Sequence, residues 1–176
     1  MHARPALTPP DFTGHALPSA ARAWPALAWI VGGGTALALA DLAFAAVFWF
    51  LHSGTPPMRI PQSIAAWFIG TPAARAGGVE TAMLGTVLYC AVIATLVAAY
   101  VGIARRWPRV HAHVASVGVA YGIASYAVVL QILVPSLSAA SVNAHDMPIE
   151  WTIACVAAWG GIGFGCAWIA RALRSR

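Results

Sequence analysis

The chain has 176 residues, of which 60% are hydrophobic and 9% charged; ten arginines against five acids give a formal charge of +5. A soluble domain carries about 25% charged residues, so a mean hydropathy of +0.75 excludes an ordinary soluble domain, which could not cover its surface with so few polar groups. Nucleic acid is excluded as a partner as well. No basic stripe with interleaved aromatics is present, and the arginines fall at the ends of apolar runs, where they act as membrane orientation signals.

Residues 1–23 contain four prolines, two arginines and no long apolar stretch, which predicts a disordered cytoplasmic tail rather than a signal peptide. Four apolar runs follow within a single membrane domain, residues 24–176. They cover about 24–51, 79–104, 114–134 and 149–170, each at or above the ~20 residues that cross a bilayer core as helix. The composition therefore predicts an all-α integral membrane four-helix bundle whose immediate partner is the lipid bilayer.

Arg4, Arg22, Arg105, Arg106, Arg109, Arg171, Arg174 and Arg176 share one side of such a bundle, and Arg59 and Arg75 the other. The positive-inside rule then places both termini in the cytoplasm. Between the first two runs, Pro56 and Pro57 stop the first helix and Pro61 suits the opening turn of another. The piece QSIAAWFIG, residues 62–70, is too short to span. It reads as an amphipathic helix lying in the interface or as a re-entrant half-helix. The connection after the third run, from Pro135 to Pro148, reads as an ordinary polar loop, with Pro135 ending the third helix.

Small residues recur four apart in every run: Gly32, Ala36 and Ala40; Ala91, Thr95 and Ala99; Gly118 and Gly122; Ala157, Gly161 and Gly165. Four residues turn a helix by about 400°, so each set forms a stripe that allows close helix approach in lipid. These stripes, Gly118, Gly122, Gly161 and Gly165 above all, are the expected packing surfaces within the bundle, or within a homo-oligomer or a complex with another membrane protein.

Asp41 is the polar residue most in need of explanation, about 16 Å along the helix from His52. A carboxylate near the bilayer centre costs at least ~2.5–3.5 kcal/mol, so it must face the bundle interior and meet other polar groups. Arg59, Gln62, Glu80 and Gln131 are the candidates for one polar cluster with it, Arg59 or Gln131 being the expected partner. Such a cluster is either structural, setting helix register, or a proton, ion or substrate site.

No catalytic constellation is evident. The six histidines lie outside the runs or at their ends, which suits neither haem ligation nor a metal site, so no cofactor and no metal are expected. Cys90, Cys155 and Cys166 sit in apolar runs and read as small hydrophobes. The run GGIGFG at 160–165 follows no strand and is not a phosphate loop. Tyr121 and Tyr126 read as packing residues or as hydrogen-bond donors inside the bundle.

The chain carries D-L-x-x-A-x-x-F-W at Asp41–Trp49, P-x-R-I-x-Q-S-I-A-A at Pro57–Ala66 and G-G-x-x-T-A-x-L-G at Gly77–Gly85. A-R-R-x-P at Ala104–Pro108, Tyr121–Gly122 and V-P-S-L-S at Val134–Ser138 complete the set. Together these motifs resemble a family of small uncharacterised four-span bacterial inner-membrane proteins. The chain departs from the pattern at Tyr89, where the family has His, and at Gln131, where it has Asn. The resemblance implies a four-span inner-membrane protein in which Asp41, Arg59 and Gln62 share one feature on the outer side, and it supplies no activity. The function expected is a non-catalytic subunit or interaction protein; the rival is a small transporter or channel subunit with its polar site around Asp41.

Overall fold

In the computed structural model, residues 20–140 and 148–174 are described, with side chains from Trp24 onward. The tail reading of 1–23 therefore lies almost wholly outside the described residues, as do His145 and Asp146. Every regular element among the described residues is helical. Four helices are long and apolar enough to cross a membrane: Trp24–Ser53, Gly78–Arg106, Pro108–Leu137 and Ile149–Arg174.

The first, α1 (Ala20–Ser53), stops where its sequence requires. Gly54 adopts φ 69° and donates its N–H to the Phe50 carbonyl at 2.9 Å, a left-handed cap that glycine accepts without a Cβ clash. Pro56 and Pro57 then bar continuation. α2 (Arg59–Ile69) opens with Pro61 in its first turn and is closed in the same way by Gly70, at φ 80°. Short α3 (Thr71–Ala76) leads into α4 (Gly78–Arg106).

The third membrane-length helix is composite. A 3-10 turn at Pro108–His113 precedes α5 (Val114–Tyr126), a π-helical segment at Ala127–Leu133 and α6 (Val134–Leu137). Pro135 does not end this helix, contrary to the sequence expectation. It sits in the first turn of α6, directly after the π segment. There the usual i→i−4 ladder has already given way to i→i+5 bonding, so the missing proline N–H breaks no regular pattern. The last helix, α7 (Ile149–Arg174), is the most enclosed of the four.

The residue pairings show that α1 runs antiparallel to both α4 and α7, and α5 antiparallel to α7. Gly34 meets Ala94 while Asp41 meets Tyr89; Gly33 meets Ile169 while Phe48 meets Trp151; Gly118 meets Ala167 while Gly122 meets Trp159. The core runs down the centre through Ala38, Ile93, Val97, Tyr100, Trp159 and Cys166. One end of the bundle carries α2 and α3, the cap end. The other carries the α4–α5 turn and the end of α7, with Arg105, Arg106, Arg109, Arg171 and Arg174, the arginine end.

Packing revises the stripes. Gly118 and Gly122 are buried as expected, against α7. Their counterpart is Gly163, between Trp159 and Ala167, and not Gly161, which has nothing within 4 Å of an added Cβ. Gly165 packs elsewhere, with an added Cβ 2.6 Å from Leu37 of α1. On α1 the inward face is Gly34, Ala38, Leu42 and Ala45, whereas Gly32, Ala36 and Ala40 face outward; Ala91, Thr95 and Ala99 of α4 do the same. Spacing of four marks a stripe but not its direction. The larger buried residues beside it, Leu42 or Trp159, set which face turns inward.

Candidate functional site

Asp41 lies near the middle of α1 and faces α4, as its neighbour Leu42 is buried in the core. Its Oδ2 accepts a 2.5 Å hydrogen bond from the Tyr89 hydroxyl. Tyr89 is buried at 4% exposure, eleven residues into α4, so the pair meets about 16 Å from the start of that helix. Tyr89 and Cys155 of α7 belong to the same buried core. The acid–phenol pair thus joins α1 to α4 beside the packed face of α7.

The five polar residues do not form one cluster. Arg59 donates to Gln62 Oε1 at 3.2 Å, and Gln62 donates through Nε2 to the Gly78 carbonyl at 2.8 Å and more weakly to Thr81 at 3.5 Å. Thr81 in turn donates to the Ala74 carbonyl at 2.6 Å. Glu80 is exposed in the first turn of α4, where a carboxylate favours the helix N-terminus. Gln131 donates to the Tyr126 hydroxyl at 3.1 Å. Asp41 therefore meets neither of its expected partners, Arg59 or Gln131. Helix geometry explains this: Asp41 is eighteen residues before Arg59, the first twelve of them, up to Ser53, helical, which sets it about 18 Å below the cap end.

The Gln62 arrangement is a second site, a clasp joining α2, α3 and α4. Gln62 is 2% exposed, and its amide satisfies the Gly78 carbonyl at a helix start. A Cβ on Gly85 would overlap the Pro61 carbonyl, so α2 crosses α4 backbone to backbone. Residues after α6 complete the cap. Ala139 donates its N–H to the Trp67 carbonyl at 2.8 Å, and Ala140 packs on Ala65, Ala66 and Ala74. The start of this connection is thus docked structure, not the plain loop expected.

Spacing alone could not have pointed to Tyr89, because its partner is 48 residues away in sequence. Of the two readings of Tyr121, the structure shows the donor: its hydroxyl bonds the Leu96 carbonyl at 2.9 Å. Gln131 reaches Tyr126 because the π segment places residues five apart on one side. At the cap end, Phe48 and Trp49 of α1 pack on Trp151 of α7, with ring centroids 4.9 Å apart for Phe48–Trp151 and 5.3 Å for Trp49–Trp151, and His52 lies against Phe48 and Trp49.

Among the described residues no three His, Cys, Asp or Glu converge as metal ligands. An open apolar groove of about 440 Å³ runs between α5 and α7, lined by Val119, Ile123, Ile153, Val156 and Gly161 among others. No protein-family model, curated protein or solved structure matches the chain.

Proposed function

We propose that this chain is a non-catalytic integral membrane subunit that acts by packing its outward helix faces against other membrane helices, from its own copies or from a partner. The observation that carries this reading is the outward direction of two small-residue faces. Gly32, Ala36 and Ala40 on α1 and Ala91, Thr95 and Ala99 on α4 are left uncovered, while the glycines that hold the bundle together are others. In lipid, small surfaces of this kind favour helix association because backbones approach closely. Thr95 already donates to the Ala91 carbonyl at 2.8 Å, so its hydroxyl presents no unmet polar group. The arginine bias and the family resemblance support a bacterial inner membrane with both termini cytoplasmic and the cap end outside.

Co-purification of the full chain in mild detergent tests this. A defined oligomer or partner should be recovered with the native chain and lost with Ala36→Leu or Thr95→Leu, both outward positions, while the monomer stays folded. Recovery of a lone monomer from native membranes, unchanged by either substitution, refutes it.

A second reading, a small transporter or channel subunit, is favoured by one feature. Asp41 is an acid in the middle of a membrane-length helix whose hydrogen-bond partner is a neutral phenol, and intramembrane acids mark ion and proton paths. Loss of flux in Asp41→Asn with assembly retained would select this reading; loss of assembly or stability would select the first.

A further inference from the structure

We propose that the arginine end is a binding surface for anionic phospholipid headgroups, with Arg105, Arg106, Arg109, Arg171 and Arg174 holding lipid phosphates. The inference rests on the chain crossing a bilayer, not on the packing role proposed above. Three observations support it.

The first is charge complementarity. All five guanidinium-bearing residues are exposed and stand at one end of the bundle, three around the α4–α5 turn and two in the last turn of α7. The acids among the described residues are elsewhere. Asp41 is midway along α1, and Glu80 and Glu150 are in the opposite, first turns of α4 and α7, some 30 Å or more from the arginine end at 1.5 Å per residue. Among the described residues, then, no acid stands at the arginine end, and clustered cations beside a membrane helix attract anionic lipid.

The second is the kind of cation. All ten cations of the chain are Arg, so this is a property of the whole sequence, but it fixes the geometry available at this end. The guanidinium fork matches phosphate oxygens bidentately, which an ammonium does not. The third is the depth marker. Trp107 is 57% exposed in the same turn, with the Arg106 guanidinium 5.9 Å from its ring centre. An exposed indole prefers the headgroup level, which sets these arginines beside the phosphates.

Native mass spectrometry of the full chain in detergent, with phosphatidylglycerol or phosphatidylcholine added, tests the proposal. The native chain should retain the anionic lipid preferentially. Arg105→Gln with Arg106→Gln should lower that retention about 25-fold at low salt, taking about fivefold per arginine. The matching Arg→Lys pair keeps the charge, and so the insertion signal, and should lose part of the retention. Arg75→Gln, an exposed arginine at the cap end, should change nothing. Equal retention of the two lipids, or a Gln pair indistinguishable from the native chain, overturns the proposal. So does displacement by inorganic phosphate at a concentration equal to that of the lipid, which would make the surface a site for the free ion.

Discussion

Gly163 of α7 rests directly on Gly122 of α5: a Cβ added to Gly163 would stand 2.6 Å from the Gly122 Cα, and one added to Gly118 would stand 2.9 Å from the Gly163 carbonyl oxygen. Two helices approach this closely only where both surrender their side chains, and the contact made there is van der Waals packing between backbones. Gly163→Ala should therefore destabilise the bundle by about 1–3 kcal/mol through overpacking. Gly161→Ala, two residues away and open, should leave stability unchanged or raise it by up to about 1 kcal/mol through helix propensity. Thermal unfolding of the two variants in one detergent checks the contrast; equal effects would mean that α5 and α7 are not joined at Gly163.

The Asp41–Tyr89 pair should show energetic coupling. A double-mutant cycle with Asp41→Leu and Tyr89→Phe is expected to give about 0.6 kcal/mol, and no more than about 1.7, the range found for hydrogen bonds between membrane helices. Additive effects of the two changes would show that the bond contributes nothing to holding α1 against α4.

Gln62→Leu removes the amide that bonds the Gly78 carbonyl and Thr81; the carbonyl keeps the Thr81 hydroxyl at 3.1 Å, and Arg59 loses its Gln62 acceptor. A cost of about 0.5–1.5 kcal/mol is expected, felt locally. Hydrogen exchange should quicken over residues 59–78 while the centres of α4 and α7 keep their protection. A uniform loss across all helices would show that α2 is not an independently opening cap.

Trp151→Ala should remove the ring that links α7 to Phe48 and Trp49 at the cap end. Each aromatic pair contributes about 0.5–1.5 kcal/mol beyond area burial, so a loss near 1–3 kcal/mol is expected from the two. Thermal unfolding of Trp151→Ala against the native chain in one detergent checks this; unchanged stability would show that the cluster does not hold α1 to α7.

Much of this molecule was legible from composition and punctuation. Runs of twenty or more apolar residues are a one-dimensional property, so the four membrane-length helices could be located to within a few residues. Proline pairs and a following glycine end a helix through local backbone geometry, and the stop after Ser53 followed from Pro56 and Pro57. The collection of five arginines at one end likewise depends only on loop order. Pro135 misled because its effect depends on the ladder around it, and the π segment that accommodates it has no signature in residue type.

Facing and pairing were not legible, and the reason is physical. In a chain whose every face is apolar, hydrophobic periodicity no longer separates inside from outside, so Gly161 and Gly163 look equivalent until neighbouring helices choose between them. Nor does a lone acid announce its partner: Asp41 demanded a polar neighbour, but whether Arg59, Gln131 or Tyr89 met it depended on how deep each stood along its own helix. Residue order alone established that the carboxyl group must be satisfied among helices. The antiparallel register of α1 on α4 selected Tyr89 to do it.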